Sequence, residues 1–218
     1  MNYIIWILFI TLLLIYCNEE KKDNFKKATI LKVTLSAFVA VVTIYSAIKL
    51  GNKEEHIFIA FGLTMAVPAD YFLQYIKKDI TKYRIGIFFF GLMHIFLLLA
   101  FYQLFGLNYQ ALILIVIFLV ILTVIQVVEK WNLGKTKYQL SVYTILVTVM
   151  AANAITSYLI SPSTSTISLA LGGLFFFISD IFLGKWGYYK EKFIYLFLNR
   201  TVYFIGQMLI AFYLVLLI

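Results

Sequence analysis

Acidic residues are scarce in this chain: ten among 218, against eighteen lysines and arginines. Cysteine is scarcer, and with Cys17 alone no intrachain disulfide can form. The residue is expected to be a small lipid-facing or interfacial hydrophobe. Histidine occurs twice, at His56 and His94, so a multi-histidine metal centre is excluded and no metal or other cofactor is expected. His56 is expected at the outer surface. There is no Gly-x-Ser-x-Gly elbow, no phosphate-cradling glycine-rich loop and no dinucleotide fingerprint, which removes the usual soluble-hydrolase apparatus.

What is abundant is apolar: 63% of residues are hydrophobic and 13% charged, where a globular domain carries about a quarter charged. The chain is therefore read as an all-α integral membrane protein. Its apolar runs fall at about 2–17, 28–49, 56–76, 85–106, 109–129, 138–160, 164–184 and 194–218. These are eight helical spans, near the ~20 residues that cross the hydrocarbon core, and they predict one transmembrane domain over 1–218 with no soluble module. A barrel is excluded because the runs are continuous rather than alternating and exceed the ~9–11 residues of a barrel strand. The first span lacks a basic leader and a small-residue cleavage site, so it is expected to be permanent.

The loops after spans one, three, five and seven hold fourteen of the eighteen basic residues, whereas those after two, four and six hold only Lys49 and Lys53. The positive-inside rule then puts both termini outside and the basic loops in the cytoplasm, in a bacterial-type cell membrane. The net charge of +8 is dispersed over short loops. Its natural partners are anionic headgroups of membrane lipids, and no nucleic-acid partner is expected.

Two acids lie inside the apolar runs, Asp70 and Asp180, and each follows a glycine by eight residues, Gly62 and Gly172. A carboxylate in hydrocarbon is costly and normally faces a cavity, a partner or a substrate path. Lys32 and Arg200 are the intramembrane cations. With a rise of 1.5 Å per residue, all four charges fall within about 8–12 Å of the nearest basic loop, and His94 and Tyr203 lie at about 15 Å. This is a polar layer in the cytoplasmic half. The spans carrying the aspartates are separated by four, so they run in the same direction, as a parallel repeat of two four-helix halves requires.

Four segments carry a resemblance: Gly62-Leu63 through Asp70, Phe88-Phe89-Phe90-Gly91-Leu92-Met93-His94, Gly172-Gly173 through Ser179-Asp180, and Tyr203-Phe204-Ile205-Gly206-Gln207-Met208-Leu209-Ile210. In order and spacing they resemble the signature blocks of the YhhN (lysoplasmalogenase) family, and Lys32 fits the lysine of that family's second span. The resemblance implies an eight-helix membrane enzyme that cleaves the vinyl ether bond of lysoplasmalogens to a fatty aldehyde and a glycerophospho-headgroup. The chain departs from the family at Pro68-Ala69, where glycine usually precedes the aspartate. It also departs at Val33, where proline usually follows the lysine, and at Leu97, where tyrosine is common. Pro68 removes one backbone donor and is placed to kink span three.

Hydrolysis of an enol ether needs a proton at its β-carbon and water on the resulting oxocarbenium ion, hence an acid and a base. Asp70 and Asp180 are the candidate catalytic pair, by analogy with the carboxylate pairs of glycoside hydrolysis. Candidate substrate-binding residues are Lys32, His94, Asn199, Arg200, Tyr203 and Gln207, for a lysophospholipid substrate. Lys32 and Arg200 suit a phosphate, or else each neutralises one aspartate. His94 is either catalytic or an interhelical hydrogen-bond donor. Tyr203 and Gln207, four apart, share a face and serve either the substrate's polar backbone or helix packing. A proton-coupled or lipid transporter would use the same carboxylates and remains the alternative.

Overall fold

The computed structural model describes residues 2–106 and 108–218; Met1 and Leu107 lie outside the described residues. Eight long helices run Asn2–Lys21 (α1), Phe25–Lys49 (α2), Glu54–Leu73 (α3), Ile80–Phe105 (α4), Tyr109–Val128 (α5), Lys137–Ile160 (α6), Thr164–Gly184 (α7) and Phe193–Val215 (α8). All eight are long and apolar enough to cross a membrane. No strand occurs among the described residues. The protein belongs in a bilayer, because helices satisfy every backbone group internally where no water can.

Polar residues set the helix starts. Asn24 accepts from the Lys27 amide, Asp79 from those of Thr81 and Lys82, and Ser163 forms a reciprocal capping box with Thr166. Gly106 ends α4 at φ +70°, a backbone region that favours glycine. α3 continues through Pro68. α7 passes into one π-helical turn, Lys185–Tyr189.

Six helices close a ring in the order α2, α3, α4, α6, α7, α8 and back to α2. α1 lies outside against α2 and α8, and α5 lies outside against α6. The two halves repeat their neighbours: α3 packs most closely on α4 as α7 does on α8, α2 meets α3 as α6 meets α7, and α1 and α5 each lean on the helix that follows them. Glycines permit the tight pairs. A Cβ on Gly62 would meet the Met93 carbonyl oxygen at 3.1 Å and Leu97 at 3.2 Å, and one on Gly172 would meet the Gly206 carbonyl oxygen at 3.0 Å and Ile210 at 2.7 Å. In both halves a glycine eight residues before the aspartate lets the next helix approach.

Two expectations are corrected. Cys17 is buried in the main core, because α1 runs on to Lys21 and leaves the cysteine a full turn inside the helix. His56 is also buried, since α3 begins at Glu54 and its first turn directs the imidazole inward.

Candidate functional site

Asp70 projects from α3 into the ring with no exposed surface. Lys32 of α2 places its ammonium 3.1 Å from one carboxylate oxygen. The other oxygen accepts from Ser36, one turn along α2, and from the Tyr203 hydroxyl of α8 at 2.6 Å. The Gln207 amide donates to that hydroxyl at 2.6 Å, so three residues from α2 and α8 converge on one carboxylate and a fourth holds the phenol in place. Burying so many polar groups is tolerable only because they answer one another.

Asp180, on α7, has different company. It accepts from the Tyr143 hydroxyl of α6 at 2.7 Å, and the same hydroxyl lies 3.5 Å from Nε2 of His94 on α4. No cation contacts Asp180 among the described residues. Its carboxyl forms part of the wall of a cavity of about 240 Å³ that Tyr83, Gln126, Trp131, Tyr143 and Tyr188 also line. The connection before α6 closes this cavity at the lysine-rich end. Trp131 packs on Gly184 so closely that a Cβ there would fall 2.1 Å from the indole, and its N–H donates to Glu129 at 2.8 Å. Lys185 pairs with Glu129, and the Asn132 amide donates to the Tyr188 carbonyl at 3.0 Å.

The two carboxylates are not hydrogen-bonded to each other. Phe90 and Phe176 stand between their clusters: Phe90 lies 6.4 Å from the rings of both His94 and Tyr143 and 5.6 Å from that of Tyr203, while Phe176 lies 5.7 Å from His94 and 5.4 Å from Tyr203. Lys32, Tyr203 and Gln207 thus gather at Asp70, and His94 gathers at Asp180.

Arg200 belongs to neither cluster. Its guanidinium lies 3.6 Å from Glu20 of α1 and donates to Asn199 at 3.2 Å. Asn199 in turn donates to the Ser179 carbonyl at 2.9 Å, fastening α8 to α7 one residue before Asp180. Glu20 also accepts from Gln74, which caps the C-terminus of α3.

Sequence reasoning missed Ser36, Glu20 and Tyr143. Ser36 follows Lys32 by one helical turn, which was available as a signal. Glu20 lies beyond the apparent end of span one, which the helix overruns. The aspartates are 110 residues apart (180 − 70); adding 110 to Lys32 gives 142, beside Tyr143. The internal repeat therefore pointed at the second partner.

The sequence profile of the YhhN family matches residues 4–214, nearly the whole chain, and the chain belongs to that family. No curated protein and no solved structure matches it.

Proposed function

We propose that this member of the YhhN family is a membrane-embedded hydrolase that cleaves the vinyl ether bond of lysoplasmalogens. The observation that carries the reading is Asp180: a carboxyl on a cavity wall whose described hydrogen-bond partner is a phenol and which no cation contacts. A carboxyl in that setting suits a proton donor, whereas Asp70, beside an ammonium and two hydroxyls, suits a fixed carboxylate.

In the proposed reaction the Asp180 proton goes to the β-carbon of the enol ether, leaving positive charge shared between the α-carbon and the ether oxygen. Water adds to the α-carbon and gives up a proton toward Tyr203, which passes its own to Asp70. The hemiacetal then collapses, the carbon–oxygen bond to glycerol breaks, and aldehyde and glycerophospho-alcohol leave. For acid and base to act on one substrate, the rings of Phe90 and Phe176 must turn aside. His94 holds the Tyr143 phenol, and Lys32 serves Asp70 before any phosphate.

A transporter reading is weakened by the polar groups nearer the other end of the bundle. Asn153, Thr156 and Thr43 all hydrogen-bond to carbonyls of their own helices, which occupies their donors. The test is aldehyde release from a vinyl-ether lysolipid by purified protein. Release in the parent chain, abolished in Asp180→Asn and Asp70→Asn, is expected. Release unchanged in both variants, or none in the parent together with lipid-dependent proton flux in liposomes, would overturn the reading.

A further inference from the structure

The ring has two seams where one half meets the other, α2 with α8 and α4 with α6, and only the first is covered. α1 lies across α2 and α8, with the Trp6 ring 5.1 Å from Phe212, Phe9 at 6.3 Å from Phe38 and Tyr16 at 5.7 Å from Phe204. Its counterpart α5 leans the other way: Phe118 stacks on Phe177 of α7 at 4.0 Å, and the following Trp131 packs on Gly184. The α4–α6 seam is left as an open apolar groove of about 440 Å³, lined by Phe88, Gly91, Leu92, Val142 and Leu146 among others. This volume falls in the ~300–1,000 Å³ range of small-molecule sites.

One end and the inner wall of the groove carry polar groups. At the lysine-rich end stands Arg84, whose Nη2 donates to the Lys135 carbonyl at 2.6 Å while its buried Nε has no partner among the described residues. At its inner wall stands Tyr143, which also lines the Asp180 cavity. The middle is open beside Gly91, where a Cβ would touch only Leu146, at 3.6 Å.

We infer that the α4–α6 groove is the seat of one lipid chain, taken in sideways from the bilayer, with the phosphate of its headgroup at Arg84. The occupant is a single-chain phospholipid: the groove is one seam wide, apolar along its length and cationic at one end. The inference rests on the proposed reaction only in identifying that lipid as substrate. Tyr143 is then the residue at which bound chain and Asp180 meet.

The experiment uses the full chain in diacyl-lipid nanodiscs and a saturated lysophosphatidylcholine with a diazirine at mid-chain, which carries no vinyl ether and is not turned over. Cross-links are expected at Phe88, Leu92 and Leu146, competed by unlabelled lysolipid and not by excess diacyl lipid. Gly91→Phe, which fills the groove, should reduce them at least tenfold, and so should Leu146→Trp, a second obstruction should the first variant fail to fold. Val41→Phe on the exposed face of α2 should leave them unchanged. Cross-links spread over α1, α2 and α5, competition by diacyl lipid, or a second copy of the chain cross-linked in the groove would each overturn the inference. Groove labelling without aldehyde release from vinyl-ether lysolipid removes the proposed reaction and keeps the seat; scattered labelling with aldehyde release does the reverse.

Discussion

Lys32 Nζ lies 3.1 Å from Asp70 Oδ1, and both side chains are about 1% exposed. Removing one member leaves the other as a buried charge without its counterpart. Lys32→Met is therefore expected to destabilise the protein by about 3–5 kcal/mol, and the double variant with Asp70→Asn to recover most of that. Thermal unfolding in detergent measures both. Equal loss in the single and double variants would show that the pair is not coupled.

In the proposed reaction Tyr143, whose hydroxyl donates to Asp180 at 2.7 Å, positions that carboxyl rather than touching the reacting atoms. Tyr143→Phe keeps the ring packed near Phe90 and deletes only the hydroxyl. Loss of one such hydrogen bond, about 1 kcal/mol, is expected to lower kcat/KM for aldehyde release roughly fivefold while leaving the unfolding temperature nearly unchanged. A higher KM with kcat unchanged would speak against the role.

The Trp131–Gly184 contact admits no methyl group. Gly184→Ala is expected to cost about 1–3 kcal/mol through overpacking. It should also displace the indole, seen as a change in tryptophan fluorescence. Trp131→Ala in the same chain should restore stability, because it removes the obstacle.

Glu129 lies just beyond α5. Burial by itself raises its carboxyl pKa, but the Lys185 ammonium and the Trp131 indole both donate to it, and the net position is below the ordinary carboxylate value. A depressed folded-state pKa contributes stability that is present above the unfolded value, about 4.3, and is lost as pH falls through the folded one. The stability of the parent chain should thus decline below about pH 4.3 with a component that Glu129→Gln lacks. Parallel pH profiles for the two proteins would refute this.

Much of this architecture was legible in the sequence because the bilayer imposes its own length scale. The eight helices fall within a few residues of the apolar runs, except where polar residues extend a helix past the hydrocarbon, as at Glu19 to Lys21. The repeat was legible from Gly62–Asp70 and Gly172–Asp180, because the same tight approach to the next helix is needed twice. Pairing was not legible. Depth along a helix says nothing about azimuth, so four charges at similar depth did not reveal that Arg200 answers Glu20 while Lys32 answers Asp70. Phe90 and Phe176 looked like ordinary packing, since nothing in an apolar segment distinguishes a ring that fills the core from one that divides a site.

The pairing of Lys32 with Asp70, and of Arg200 with Glu20, bears on how the chain is made. An uncompensated charge at the middle of a span costs about 2.5–3.5 kcal/mol during insertion. Helices leave the ribosome in order, so α2 carries its ammonium into the lipid only one helix ahead of the carboxylate that receives it, and the two can be released as a hairpin. Glu20 and Arg200 are separated by 180 positions (200 − 20). The ion pair that joins α1 to α8 can form only once α8 has been made, so Glu20 waits for its counterpart through six intervening helices.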